Sequence, residues 1–364
     1  MTTPPPPAAG LASRAGLSPA TRVLLTLAAA VVVVVGFSLG KSIIGPFALA
    51  AVIVIIVHPL RHPLERRGAP RWLATAAVLV AAYAILAVMG ALILLAATQF
   101  VALLKQNSGE VSSTIDSLTG ALGGLGFDLS SLTASGGPLD TSTLVSAAAS
   151  VGSAVASTAT AFFFILVYII FMGADAARYG EIPPALARAK ASTISSLQHY
   201  SSGVRRYFVV SAIFGLIVAI LDGLLLWALG VPGAFIWAVL AFVTNFIPNI
   251  GFVLGLVPAA VFALLSGGWV VALIVVVAYC VINALLQEVV QPKFVSDAVD
   301  LSLTLTFASV VFWVAVIGPI GALLAIPLTL LLREIVIGTD PGASWSRWLT
   351  GDNRDFATPG QTAA

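Results

Sequence analysis

Residues 242–265 read Phe-Val-Thr-Asn-Phe-Ile-Pro-Asn-Ile-Gly-Phe-Val-Leu-Gly-Leu-Val-Pro-Ala-Ala-Val-Phe-Ala-Leu-Leu. This stretch is apolar enough to enter a bilayer, yet its middle holds residues that break a helix or demand hydrogen bonds, namely Asn245, Pro248, Asn249 and Gly251. A broken backbone at membrane depth lies inside protein or beside a water-filled cavity, because unsatisfied amides are costly in hydrocarbon. We therefore interpret the stretch as a re-entrant hairpin or interrupted span that lines a transport site. A proline-kinked helix embedded in lipid is the alternative.

The composition places the chain in a membrane. Its 364 residues are 59% hydrophobic and only 9% charged, with a mean hydropathy of +1.07, whereas soluble domains carry about 25% charged residues. The apolar runs are long and continuous, which is typical of membrane helices and unlike the short alternating strands of outer-membrane barrels. We therefore predict an all-α, polytopic membrane protein.

Other kinds of chemistry find little support in the sequence. The formal net charge of +2 is too small to indicate a nucleic-acid surface. There is no Walker motif or glycine-rich phosphate loop, so ATP is not the expected direct energy source, and no protease motif such as His-Glu-x-x-His or Gly-x-Ser-x-Gly. No His, Cys, Asp and Glu cluster has metal-ligand spacing. We expect a protein that is not an enzyme and that binds no cofactor, metal or nucleic acid.

Basic residues predict the orientation of the chain. Residues 58–71 and 174–206 each hold three more basic than acidic side chains, which places both segments in the cytoplasm. We interpret 174–206 as an amphipathic helix on the cytoplasmic membrane face. Residues 106–150 hold no Lys or Arg and form the predicted external polar segment. Residues 1–20 are predicted to be a disordered tail and 339–364 a cytoplasmic tail, so both termini of this inner-membrane, multi-pass protein are cytoplasmic.

A second broken segment resembles the first. Residues 248–258 and 319–327 both read Pro, Ile-Gly, an apolar trio, a small residue, an apolar residue and Pro, with one-residue differences in spacing at two places. Within a membrane domain at 21–338 we predict two hairpins, at 234–265 and 301–332, that enter the bilayer from opposite sides. Opposed broken segments are typical of inverted-repeat transporters, whose site lies where the tips meet.

A polar helix lies between the two hairpins. Asn283, Gln287 and Gln291 recur every four residues and therefore share one helix face, with Glu288 beside them. The predicted solute-binding residues are Asn245, Pro248, Asn249, Gly251, Asn283, Gln287, Glu288, Gln291 and Pro319. The predicted hinge and packing residues are Gly255, Pro258, Pro292, Gly318, Gly321 and Pro327.

Two carboxylates lie in predicted spans and are candidate ion or proton sites. A charged side chain at the bilayer centre costs at least ~3 kcal/mol, so Asp222 and Glu288 should face the bundle interior or a cavity. The alternatives stay open. Asp222 lies near the outer third of its span and could reach interfacial water, and Glu288 precedes Lys293 near a span end, where an interfacial charge is common.

These motifs resemble those of the AI-2E family of transporters, the autoinducer-2 exporter family. The resemblance rests on residues 245–251, 288–293 and 318–327, and it covers about 20–338. It implies about eight membrane segments, a homo-oligomer with a pentamer as the expected form, and an elevator-like movement. One departure concerns the stretch after Gln-Pro-Lys, where the family usually has a Leu-His-Pro-like sequence and this chain has Leu-Ser-Leu at 301–303.

Two functions follow from the pattern and the resemblance. The first is a secondary transporter that exports a small polar organic solute, most simply one like autoinducer-2, by elevator-type alternating access. Neutral amides outnumber charges in the predicted site, which favours this hypothesis. The alternative is a Na⁺(Li⁺)/H⁺ antiporter. The expected partners are a small molecule or cation, the lipid bilayer and further copies of the chain. A purely structural protein is disfavoured because burying unneeded amides costs stability.

Overall fold

The computed structural model describes residues 18–106, 109, 113, 146, 159–179, 188, 190–248, 250–291 and 301–338. All regular secondary structure in these residues is helical. The helices are α1 Pro19–Leu39, α2 Lys41–Val57, α3 Arg61–Arg66, α4 Arg71–Gln106, α5 Ala159–Tyr179, α6 Ala191–Ala228, α7 Ala234–Thr244, α8 Gly251–Asn283, α9 Leu303–Ile317 and α10 Pro319–Arg333. A 3₁₀ turn, His58–Leu60, precedes α3, and π-helical turns follow α8 at Ala284–Val290 and α10 at Glu334–Gly338.

Five of the described helical stretches are long and apolar enough to cross a membrane. They are Lys41–Arg66, Arg71–Leu103, Ala191–Ala228, Gly251–Gln287 and Pro319–Val336. Shorter apolar helices accompany them at Val23–Leu39, Phe162–Asp175, Ala234–Thr244 and Leu303–Ile317. The prediction of a helical, multi-pass membrane protein is therefore confirmed. The count of about eight segments stays a prediction, and the tails at 1–17 and 339–364 and most of 106–150 lie outside the described residues.

Large apolar side chains cover the outside of the bundle. Val32, Trp72 and Trp227 are 70%, 72% and 75% exposed. In water such a surface would promote aggregation of the protein. Lipid tails are equally apolar, so they contact it without an unfavourable free energy. The exposed apolar surface thus agrees with a bilayer as the surrounding medium.

Helix α6 is the longest described element and runs through the centre of the candidate site. It contains 38 residues, which gives a length of about 57 Å at ~1.5 Å per residue. Residues 191–206, assigned from the sequence to a separate amphipathic helix, form its first four turns, and residues 174–179 end α5. The helix continues without a break because no proline occurs between Ala191 and Ala228.

Both predicted helix breaks occur as helical hairpins. Helices α7 and α8 pack against each other, and the described residues between them, 245–248 and 250, form turns and a bend. Helix α8 itself bends at Gly268, which has a φ of 71°. Helices α9 and α10 are joined by Gly318 alone, with a φ of 79°. Glycine fits these positions because it lacks the Cβ that disfavours positive φ. The entry of the two hairpins into the bilayer from opposite sides stays a prediction.

One hydrophobic cluster brings the two hairpin turns together. Phe246 from the first turn shares this cluster with Ile317 and Ala322 beside the second turn. Ala48 and Val52 of α2 also belong to it, so α2 packs behind both turns. Val204 and Phe208 of α6 belong to the same cluster, so residues of both turns pack into one core. That the two hairpin tips meet at a transport site stays a prediction.

Candidate functional site

One face of α6 holds the tip of the first hairpin. The Tyr207 hydroxyl donates to the carbonyl oxygen of Phe246 at 3.1 Å, and Asn245 Nδ2 donates to the carbonyl oxygen of Ser211 at 3.0 Å. A Cβ at Gly215 would lie 2.8 Å from Asn245 Nδ2, so glycine leaves the space that the Asn245 amide fills. These three α6 residues are spaced by four and share one helix face. The same face continues to Asp222.

A chain of side-chain amides connects the hairpin tip to the C-terminal end of α8 and the π-helical turn that follows it. Gln287 Nε2 donates to Asn245 Oδ1 at 2.9 Å and to Asn283 Oδ1 at 2.7 Å. Asn283 Nδ2 in turn donates to the carbonyl oxygen of Tyr279 at 2.9 Å. Asn245, Asn283 and Gln287 are called the amide chain below. It satisfies polar groups that would be costly to bury alone.

Gln287 projects from an irregular part of the helix. It lies in the π-helical turn Ala284–Val290, which ends where the Gln291 N–H donates to the carbonyl oxygen of Leu286 at 2.7 Å. Such wide turns are rare and occur frequently at functional sites. Because Gln287 donates to both other members, it is the centre of the amide chain.

A small cavity lies beside the amide chain, between α6, α7 and α8. The amide chain lines it together with Thr244, and its volume is about 10 Å³. A cavity needs roughly 10–15 Å³ to hold one water molecule, so this space fits a single water-sized species. The site is therefore closed to an organic solute in this conformation.

Two further polar groups line this cavity from opposite helices. Asp222 of α6 and Tyr279 of α8 are each 1% exposed. Among the described residues, neither the two Asp222 carboxylate oxygens nor the Tyr279 hydroxyl has a hydrogen-bond partner. Asp222 thus lies inside the bundle and not at an interface with water. It is the one Asp, Glu, Lys or Arg residue among those that line the cavity in the described part of the chain.

The structure brings together part of the predicted site. The predicted residues that line the cavity are Asp222, Asn245, Gly251, Gly255, Asn283 and Gln287. Pro248 and Gln291 are half-buried and lie outside the cavity lining, and Pro319 is exposed at the first turn of α10. Asn249, Pro292 and the side chain of Glu288 lie outside the described residues.

The predicted hinge residues belong mainly to the helix ends and interiors around the two turns. Gly318 joins α9 to α10, and Gly321 is buried in the first turn of α10. Pro258 lies inside α8 and Pro327 inside α10, where each removes a backbone donor from the helix. Their roles as hinges stay predictions.

Sequence reasoning missed five residues of the site: Tyr207, Ser211, Gly215, Thr244 and Tyr279. Tyr279 could have been found, because it continues the four-residue period of positions 283, 287 and 291 toward the N-terminus. Tyr207, Ser211 and Gly215 also follow a four-residue period, but no polar run singles them out on an apolar helix.

Comparisons with known proteins agree on one family. The family model described as AI-2E family transporter matches residues 27–339. A Haemophilus influenzae protein with the provisional name of a transport protein is 30% identical over 348 residues, which are 92% of this chain and 97% of that protein. The AI-2 transport protein TqsA of Escherichia coli strain K12 is 26% identical over 339 residues, again 92% of this chain and 97% of the relative.

Proposed function

The chain belongs to the AI-2E transporter family, and from this premise we propose that it exports a small polar organic solute across the inner membrane. An autoinducer-2-like furanone is the leading candidate. One relative carries AI-2 transport in its name, and it aligns over almost its whole length with this chain. The resemblance also supports a homo-oligomer, a pentamer in its expected form, and the distribution of basic residues supports cytoplasmic termini.

The observation that carries this proposal is the amide chain between the hairpin tip and α8. Each amide has an oxygen that accepts and an NH₂ group that donates two hydrogen bonds. Asn245, Asn283 and Gln287 therefore present both kinds of partner to hydroxyl and carbonyl groups of an uncharged solute. A binding site for a strongly charged organic ion would instead need Arg, Lys or several carboxylates.

Transport requires the hairpin tip to move away from α6 and from the part of α8 that follows the bend at Gly268. The closed tip is held by the bonds from Tyr207 to Phe246, from Asn245 to Ser211 and from Gln287 to Asn245. Each of these hydrogen bonds stabilises the closed state by on the order of 1 kcal/mol net. New hydrogen bonds to a solute would offset this free energy. In an elevator-type cycle, opening of each hairpin exposes the site to one side of the membrane.

Replacing the centre of the amide chain should stop transport. Gln287→Leu keeps the size of the side chain and removes both of its donated hydrogen bonds, which leaves Asn245 and Asn283 without this partner. Leaving a buried amide without its hydrogen-bond partner costs about 1–3 kcal/mol. If the binding site is destabilised by this amount, solute flux should fall about 5- to 150-fold. The measurement is efflux of autoinducer-2 from proteoliposomes.

The matched control is Gln198→Ala, an exposed amide on the first part of α6. Its flux should equal that of the unmodified protein, and both variants should keep their melting profile closely enough to show a folded bundle. Equal flux in Gln287→Leu and Gln198→Ala would sink the assignment of the amide chain to solute binding.

A Na⁺(Li⁺)/H⁺ antiporter is the second candidate, and two observations favour it. The cavity has the volume of one water-sized species, and a buried carboxylate lines it. A monovalent cation is of this size, and carboxylate and amide oxygens are suitable ligands for it. We expect a sodium gradient to change the signal of a pH dye inside vesicles if this function is correct. A flat signal from mildly acidic to mildly alkaline pH would remove it.

A further inference from the structure

The carboxyl group of Asp222 and the hydroxyl group of Tyr279 line the cavity and take no part in the amide chain. They approach it from different helices, and both are 1% exposed. Neither the carboxylate oxygens of Asp222 nor the hydroxyl group of Tyr279 has a hydrogen-bond partner among the described residues, although every member of the amide chain has one. Native structures rarely leave buried polar atoms unsatisfied without a functional reason. This pair is therefore the strongest unexplained feature of the bundle interior.

We propose that Asp222 and Tyr279 form a proton-binding site that couples opening of the first hairpin to the movement of one proton. The inference rests on the proposed transport function for its coupling, while the bound proton itself does not depend on the cargo. Asp222 carries the proton, and the Tyr279 hydroxyl is its polar neighbour across the water-sized cavity.

Burial requires Asp222 to be neutral in the closed conformation. An ionised carboxylate needs a cation or several donors once it leaves water. The described residues that line the cavity include no Lys or Arg, and Tyr279 is the other titratable group among them. On α6 itself the nearest basic residue is Arg206, 16 residues earlier, or about 24 Å along the axis. The protonated acid is thus the form that this site favours.

Opening of the hairpin changes this balance. Asn245 and Thr244 line the same cavity as Asp222, so movement of the tip admits water to the carboxyl group. In water the O–H bond of the Asp222 carboxylic acid breaks, and the proton passes to a water molecule while the carboxylate keeps the electron pair. After the solute has left to the outside, Asp222 takes a proton from external water as the site closes. It releases this proton to cytoplasmic water when the site next opens inward, where hydroxyl groups of a new solute donate hydrogen bonds to the carboxylate. One proton moves per cycle, opposite to the exported solute.

The bound proton should be visible by infrared spectroscopy of the purified full-length protein at neutral pH. Exchange from H₂O to D₂O shifts the C=O stretching band of a protonated carboxylic acid, and we expect this band in the unmodified protein. It should disappear in Asp222→Asn and shift in position in Tyr279→Phe. The matched control, Asp175→Asn at the exposed end of α5, should keep it. A missing band in the unmodified protein, or an unchanged band in Asp222→Asn, would overturn the proposal.

Coupling is tested separately by autoinducer-2 efflux under an imposed gradient of about one pH unit, acid outside. A difference of one pH unit changes the equilibrium of a transport cycle that moves one proton by a factor of about ten. Under this gradient efflux should be faster and its steady-state level higher in the unmodified protein and in Asp175→Asn, but neither should change in Asp222→Asn. A response that persists in Asp222→Asn contradicts the coupling. An absence of autoinducer-2 flux in every variant, with the infrared band present and dependent on Asp222, supports the proton site and counts against the proposed cargo.

Discussion

Gly251→Ala should be among the most damaging single substitutions in this chain. A Cβ at this position would overlap the backbone carbonyl oxygen of Thr244, the last residue of α7. That carbonyl cannot turn aside easily because it accepts a hydrogen bond from the Ile247 N–H at 2.8 Å. The added methyl group therefore has to push α7 and α8 apart at the hairpin tip. We expect a loss of about 2–3 kcal/mol and a melting temperature lower by roughly 5–10 °C.

Function should suffer as much as stability, because Asn245 follows Thr244 directly. Displacing this turn separates Asn245 from Gln287 and from α6, so solute flux in proteoliposomes should fall with the melting temperature. The control is Gly36→Ala in α1, where a Cβ would meet nothing within 4 Å. If both alanine variants melted and transported alike, the tight packing of the first hairpin would be refuted.

Gly321→Ala should have a comparable effect at the second hairpin. Its Cβ would overlap the backbone carbonyl oxygen of Trp313 in α9 and would lie 2.9 Å from a side-chain carbon of Ile317. Trp313 is held in place, since its indole Nε1 donates to Thr329 Oγ1 of α10 at 3.0 Å. The helices cannot separate without breaking this buried bond. A similar decrease of about 2–3 kcal/mol and roughly 5–10 °C is expected in a thermal melt.

Here the control is Gly90→Ala in α4, another position at which a Cβ has open space. Gly321 does not line the cavity of the amide chain. A folded Gly321→Ala protein with normal flux would therefore show that the second hairpin is not part of the transport movement. Loss of flux at a temperature well below melting would link both hairpins to one cycle.

The two glycines also show how much of the hairpins could be predicted from sequence. Gly251 and Gly321 were matched because each follows a proline and an isoleucine in similar apolar segments. In the structure both glycines lie at the start of the second helix of a hairpin. Each allows that helix to pack closely against a backbone carbonyl in the last turns of the first helix. A sequence pattern reveals such a position because only glycine fits it. The depth and direction of the hairpins depend on the bilayer and could not be predicted in this way.

The site was predictable where polarity stood out and not elsewhere. Asn245, Asn283 and Gln287 are conspicuous in apolar helices, and the structure joins all three by hydrogen bonds. The α6 face was missed because Ser211 contributes a backbone carbonyl and Gly215 contributes empty space, and neither leaves a polar signal in the sequence. The roles of these positions depend on contacts between helices, which the spacing of residues along one helix does not reveal.

The central claim is that the cavity at the first hairpin tip is part of the transport pathway. Thiol labelling tests it most directly, with Thr244→Cys in a Cys280→Ser background, because Thr244 is 6% exposed and lines the cavity. The matched control for a position in lipid is Val209→Cys in α6, because the Val209 side chain is 44% exposed.

In proteoliposomes, a membrane-impermeant thiol reagent should modify the Thr244→Cys protein when it is added to either side. Autoinducer-2 should slow the reaction, while the Val209→Cys protein should not react. This result would show a buried site that opens alternately to both aqueous phases. Modification of the Thr244→Cys protein from one side only, or no modification at all, would contradict the account.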